Sequence, residues 1–213
     1  PEKKDKPDLK EVICSALDGK IYFLDLEDGQ PTRPVIDMGF PIKGSVTIDP
    51  RGYPLLYIGQ GLDENDHKKG AIGYRIYSLI DQKEIFMING IDSFALRYWG
   101  AFDSVGLVDG KTDTLIVCGE NGILYNIKLN TDFNKVSGTL SISPEIIKYR
   151  YRSPFGRKIG SESSPAIYRN YVFFPDNGGV MQCVDLNTMK PVWIRDVTDD
   201  SDSTPVIEEI SES

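Results

Sequence analysis

Val12-Ile13-Cys14-Ser15-Ala16-Leu17-Asp18-Gly19-Lys20-Ile21-Tyr22-Phe23-Leu24-Asp25-Leu26 reads as a β-branched run, an Asp-Gly turn and a second alternating run. That is the local mark of a tight β-hairpin. The same order returns at 115–129 around Asn121-Gly122 and at 171–186 around Gly178-Gly179. In all three copies a polar-Leu pair begins six residues after the turn glycine: Asp25-Leu26, Lys128-Leu129 and Asp185-Leu186. The hairpin is therefore a repeated unit, and the fold has to be one that repeats. A fourth, diverged copy pairs Leu55-Leu56-Tyr57-Ile58-Gly59 with 71–77, its turn expanded into a charged loop at 61–70.

Ahead of the hairpins recurs a shorter run led by a small hydroxylic residue. The copies are Gly44-Ser45-Val46-Thr47-Ile48, Asp103-Ser104-Val105-Gly106-Leu107-Val108, Ser163-Ser164-Pro165-Ala166-Ile167-Tyr168 and Ser203-Thr204-Pro205-Val206-Ile207. Turns at Asp49-Pro50-Arg51-Gly52, Asp109-Gly110 and Arg169-Asn170 join each run to its hairpin, as an antiparallel meander requires. Residues 33–38, 84–88 and 192–197 read as outer strands. Four strands per unit, recurring every 40 to 60 residues, describe propeller blades rather than a sandwich. Helical crossovers are excluded, because no window of a dozen residues keeps an apolar i, i+3, i+4 stripe free of Gly and Pro.

The expected fold is thus all-β: a β-propeller of about four blades of four antiparallel strands, forming one domain or fragment over 1–213. The blades fall at 9–40, 41–90, 100–155 and 160–197, with 203–213 the first strand of a further or closing blade. A four-blade ring pairing its own ends is one arrangement. Part of a seven- or eight-bladed ring, with the open edges covered by remaining blades or another chain, is the preferred one.

Composition excludes several function classes. With 24 Lys+Arg against 32 Asp+Glu the net charge is −8, and no basic face offsets it, so nucleic acid and anionic membrane surfaces are disfavoured partners. No run approaches the roughly 18 apolar residues of a transmembrane helix, and the polar stretch 1–10 is not a signal peptide. A chain beginning at Pro1 is expected to have been cut from a longer one.

The cysteines, Cys14, Cys118 and Cys183, form no CxxC pair, so neither a disulfide framework nor a zinc site is expected. They read as buried, unbridged strand residues, with Cys14 and Cys118 at one position of two blades. His67, the sole histidine, lies in the charged loop, which leaves no base for a Ser-His-Asp or Cys-His arrangement.

Taken together, Ser-x-Pro-x-Ile, a short aromatic strand, Asp/Asn-Gly, an alternating strand ending Asp-Leu and a terminal Trp (Trp193) resemble the repeat of pyrroloquinoline-quinone-type (PQQ-like) β-propellers. The fullest match is 163–193, with 9–29 next. The resemblance implies quinoprotein dehydrogenases, an outer-membrane assembly lipoprotein, and envelope or secreted proteins as relatives. The dehydrogenases hold calcium through Glu, Asn and Asp and place a vicinal disulfide and a Trp on the quinone. This sequence has no Cys-Cys pair, and neither Trp99 nor Trp193 stands in a matching set. No cofactor is therefore expected.

Propeller ligands meet loops at one end face of the scaffold. The loops entering the first strands hold Arg97-Tyr98-Trp99-Gly100-Ala101-Phe102-Asp103, Arg157-Lys158-Ile159-Gly160-Ser161-Glu162 and Asp199-Asp200-Ser201-Asp202. Arg97, Tyr98, Trp99, Asp103, Glu162 and Asp202 are the candidate ligand-binding residues, the aromatic pair offering either a stacking platform for a sugar or peptide or packing between blades. Asp199, Asp200 and Asp202, and likewise Asp63, Asn65 and Asp66, lack the full spacing of a calcium loop and read as solvated turns. In Lys148-Tyr149-Arg150-Tyr151-Arg152 the period of 2 sends the tyrosines to one strand face and the cations to the other. It reads as a charge-guarded outer edge, or as a docking strip for an acidic partner. The expected function is a non-catalytic binding or scaffolding propeller of the bacterial envelope or exterior, recognising a protein, peptide or glycan. A fragment of a PQQ-dependent dehydrogenase is the alternative, and an intracellular scaffold is disfavoured by the absence of Gly-His and Trp-Asp dipeptides.

Overall fold

The computed structural model describes residues 10–61, 72–155 and 158–210. His67, Asp63, Asn65, Asp66 and Arg157 lie outside them. Seventeen strands follow one another: β1 Glu11–Ser15, β2 Lys20–Asp25, β3 Ile36–Asp37, β4 Thr47–Ile48, β5 Leu55–Gly59, β6 Gly73–Ser78, β7 Lys83–Asn89, β8 Leu107–Asp109, β9 Thr114–Cys118, β10 Ile123–Lys128, β11 Asp132–Asn134, β12 Thr139–Ser141, β13 Glu145–Arg150, β14 Ala166–Tyr168, β15 Tyr171–Pro175, β16 Val180–Asp185 and β17 Lys190–Asp196. They form four antiparallel meanders: β1-β2-β3, β4-β5-β6-β7, β8-β9-β10-β13 and β14-β15-β16-β17. A side hairpin, β11-β12, is inserted before the outer strand of the third. No helix occurs among the described residues, and none is long and apolar enough to cross a membrane. The architecture is the β-propeller that the repeat implies, and among the described residues its first blade has three strands.

Each blade buries both faces only where it has two neighbours. Leu56, Ile58, Ile21 and Phe23 join the first two blades; Tyr57, Tyr74, Leu115, Val117 and Tyr125 join the second and third; Ile116, Cys118, Leu124, Val172 and Phe174 join the third and fourth. Hence β5 and β9 are buried nearly throughout, whereas β1 alternates half-buried with exposed. At the base of every hairpin one leucine N–H reaches the residue preceding or opening the second strand: Leu26 to Lys10, Leu79 to Pro54, Leu129 to Asp113 and Leu186 to Asn170, at 2.8–2.9 Å. This is why the polar-Leu pair keeps its phase.

The turns are where expected but of another type. Gly19, Gly122 and Gly179 have φ of +80°, +79° and +75°, whereas Asp18 and Asn121 keep negative φ. The N–H of each glycine donates back three residues, to Ala16, Gly119 and Asp176. This is a three-residue loop ending in a left-handed glycine, not a two-residue hairpin turn. Asp18 and Asn121 serve through their side chains, accepting from Lys20 N–H and Ile123 N–H at 3.0 and 3.1 Å. Only glycine fits, because a Cβ on Gly19 would stand 2.8 Å from Phe40 O where the chain enters the next blade.

The cysteine reading needs correction. Cys14 pairs with Tyr22, and the residue paired with the equivalent Tyr125 is Val117, not Cys118. A one-residue offset puts the side chain on the opposite face: Cys14 is exposed, Cys118 and Cys183 buried, and all three are unbridged. The cation-aromatic strip divides as its period demands. Tyr149 and Tyr151 are buried toward the fourth blade, while Lys148 reaches Asp92 and Arg150 donates to Phe94 O at 2.7 Å.

Candidate functional site

Two positions recur at one end of the blades. The N–H groups of Gly61, Glu120 and Asn177, each in or entering the loop after a second strand, donate to Pro41, Ala101 and Gly160 carbonyls at 2.8–3.1 Å. Two residues beyond those carbonyls stand Lys43, Asp103 and Glu162. Sequence phase extends the series, since Asp202-Ser203-Thr204-Pro205 repeats Glu162-Ser163-Ser164-Pro165. The second, third and fourth blades thus each place one residue from the entry loop beside one from the loop after the second strand.

In the third and fourth blades three of these four positions, all but Asn177, are acidic and meet. Asp103, Glu120 and Glu162 each offer a carboxylate oxygen, and the three oxygens lie within 4.8 Å of one another. Lys43 Nζ is 3.6 Å from Asp103 Oδ2, and Arg97 Nη1 is 3.6 Å from Glu120 Oε2. Arg97 Nη1 also donates to the Glu120 and Ile159 carbonyls at 3.1 and 3.3 Å. A Cβ on Gly160, whose φ is +119°, would sit 2.8 Å from that nitrogen and 2.3 Å from Glu120 O, so glycine is what lets the arginine through. Asn177 Nδ2 donates to Glu162 Oε1 at 2.6 Å. Among the described residues, buried Asp103 Oδ1 and Asn177 Oδ1 have no hydrogen-bond partner.

The electrostatics follow from burial and like charge. Burial, with the charges of Asp103 and Glu162, pushes Glu120 up to about 8. Burial and Glu162 raise Asp103 too, against the attraction of Lys43. Three carboxylates face two cations here, so below the raised values the cluster keeps a proton, and above them it carries unbalanced negative charge. Asp200 is raised in turn by burial and by Asp202 and Glu162. The arrangement can accept a cationic hydrogen-bond donor, and its oxygens are the donor set of a divalent cation.

Of the sequence candidates, Arg97, Asp103 and Glu162 come together. Trp99 packs on Phe40, Ile72 and Ala101, with Arg97 5.3 Å from its ring centroid. Tyr98 projects into solvent, 84% exposed, so the two aromatics form no common platform. Asp202 is exposed, and its charge, like that of Glu162, acts on Asp200. Sequence reasoning missed Glu120, Lys43 and Asn177. The signal was the repeat itself, since Glu120 and Asn177 both stand two residues before the turn glycine. Two clefts of mixed charge lie elsewhere. One of about 370 Å³ is bordered by Phe23, Arg33, Asp37 and Tyr77, another of about 290 Å³ by Lys128, Glu145 and Arg169.

The residues do not fit a quinone of the dehydrogenase type. The cysteines lie on strands of three different blades, and Trp193 packs on Phe173 with the rings tilted by 45° and their centroids 5.9 Å apart.

No family model and no curated protein matches the chain. Solved structures match in fold. BamB from Moraxella catarrhalis superposes with a TM-score of 0.57 at 11% identity, over 87% of this chain and 46% of that one. The computationally designed Ika8 protein gives 0.60 at 10% identity, over 93% and 50%. The chain therefore spans about half the length of the solved structures it is similar to.

Proposed function

We propose that this chain belongs to a non-catalytic propeller of the bacterial envelope or exterior that binds a protein or peptide partner, taking a lysine or arginine of that partner at the acidic end face. The observation that carries the reading is the convergence of Asp103, Glu120 and Glu162 within 4.8 Å. A basic side chain there replaces a shared proton and gains charge-assisted hydrogen bonds in a partly desolvated site. The fold supports a binding or scaffolding role, and the repeat resemblance supports the location. A peptide suits the face better than a glycan, because Trp99 is packed inward and has Arg97 against its ring.

The test is calorimetric titration with an unstructured Lys/Arg-rich decapeptide and its Glu-substituted counterpart, on the parent and on the Asp103→Asn/Glu162→Gln variant. Binding of the basic peptide alone, weakened about tenfold or more in the variant, is expected. Equal binding of both peptides, or an unaffected variant, would overturn it. So would Ca²⁺ saturating the cluster in the micromolar range, which would make a metal its occupant.

A further inference from the structure

We infer that the acidic end face selects the ammonium group of an unmodified lysine over the guanidinium of an arginine, a specificity that rests on the cation-binding reading above and narrows it to one side-chain chemistry.

The carboxylates converge on a point rather than along an edge. Asp103, Glu120 and Glu162 come from three separate loops, and one oxygen of each lies within 4.8 Å of the other two. A nitrogen about 2.8 Å from three oxygens, with tetrahedral N–H directions, needs them about 4.6 Å apart. An ammonium group supplies those three hydrogens from one atom at the end of an unbranched stem. A guanidinium is planar and suited to the two oxygens of one carboxylate, so any one of its nitrogens meets at most two of these three acceptors.

The main chain fixes the convergence and burial narrows the approach. Glu120 N–H donates to Ala101 O at 3.1 Å, two residues before Asp103, and Asn177 N–H to Gly160 O at 2.8 Å, two residues before Glu162. The side chains of Asp103 and Glu120 are only 10% and 5% exposed, so the group that reaches both has to be compact.

Two buried acceptors show what the site lacks. Asn177 is 7% exposed, and its Nδ2 holds Glu162 Oε1 at 2.6 Å, which sets Oδ1 beside the cluster with no hydrogen-bond partner among the described residues. Asp103 Oδ1 is in the same condition. A buried acceptor left unpaired is costly. What both need is a donated hydrogen, which an ammonium brings and a fully methylated one does not.

The chain's own cations already divide in this way. Lys43 holds, in the second blade, the entry-loop position that Asp103 and Glu162 hold in the next two, and its Nζ stands 3.6 Å from Asp103 Oδ2. Arg97 instead directs Nη1 to the Glu120 and Ile159 carbonyls and remains 3.6 Å from Glu120 Oε2.

Calorimetric titration with three decapeptides of equal charge tests the inference, their basic positions being all lysine, all arginine or all Nε-trimethyl-lysine. The lysine peptide is expected to bind at least about tenfold more tightly than either of the others. In Glu162→Gln, a change at a half-exposed residue, the preference for lysine over arginine should fall to about threefold or less. Equal affinity for lysine and arginine, or tighter binding of arginine, would overturn the inference and leave an acidic cation site standing. Trimethyl-lysine binding as tightly as lysine would also overturn it, because charge without hydrogen donation would then suffice. If no cationic peptide binds at all, the underlying reading fails and the inference falls with it.

Discussion

The first and third blades carry the same hairpin in the same phase, yet they differ in what that hairpin is worth. Tyr125 of the third blade is fully buried, 5.6 Å from the Phe102 ring, and its hydroxyl accepts from Asn121 Nδ2 at 2.8 Å. Its counterpart Tyr22 donates to Asp18 at 2.6 Å from a half-exposed strand. The sequence pattern specifies the blade, whereas burial, and with it most of the energy, is supplied by the neighbour. A propeller is in this sense a stack whose stability lies largely in nearest-neighbour contacts.

The largest effect should separate these two tyrosines. Tyr125→Ala removes a ring and a buried hydrogen bond and is expected to cost about 3–5 kcal/mol, against a much smaller loss for Tyr22→Ala. Urea unfolding of both variants measures the difference, and equal losses would erase the distinction between interior and end blades.

A second contrast compares ion pairs. Arg51 binds buried Asp49 through Nε and Nη2 at 2.9 and 2.6 Å and also reaches Asp113, which ties the second blade to the third. Asp49 further accepts from the Tyr57 hydroxyl at 2.7 Å. Despite burial, these partners hold its carboxyl below the usual range. Arg51→Ala strands that buried charge and should cost about 2–4 kcal/mol. Lys20→Ala breaks the exposed Lys20–Asp18 pair and should change stability by about 0.5 kcal/mol or less. Thermal unfolding of the two variants checks the ranking.

Glu120 sharpens the contrast through pH. Its carboxyl holds a proton more tightly folded than unfolded, so stability from this group declines as pH rises from 4.5 toward about 8. Glu120→Gln should therefore be close to neutral at acid pH and stabilising by roughly 1–3 kcal/mol at alkaline pH, read from urea midpoints across that range. A flat difference would place Glu120 outside a charged cluster. A small effect is also expected at the turn, where Asp18→Ala removes the exposed acceptor of Lys20 N–H and of the Tyr22 hydroxyl and should lower the urea midpoint only slightly.

The parts of the fold legible beforehand were those encoded by local pattern. The paired runs at 55–59, 114–118 and 171–175, the left-handed glycines and the outer strands near 84–88 and 192–197 all sit where periodicity put them. The first strands proved shorter than their sequence runs. Their leading halves bond through side chains, as Ser104 Oγ does to Cys118 O and Val105 N–H to Ser164 Oγ, and form no ladder. Residues 130–144 fold into a side hairpin with no counterpart in other blades, so no repeat could announce it. The candidate site was half legible. Asp103 and Glu162 stood out in their loops, but Glu120 was hidden in a turn, and its chemistry exists only because the fourth blade brings Glu162 to it.

The acidic end face is the central claim, and carboxyl-carbon NMR titration tests it most directly. In the parent protein a carboxyl group should titrate far above the ordinary range, near the value of about 8 reached by Glu120, and that transition should vanish in Glu120→Gln. If every carboxyl group of the chain instead titrates within the ordinary range of about 3 to 5, Asp103, Glu120 and Glu162 do not share a site.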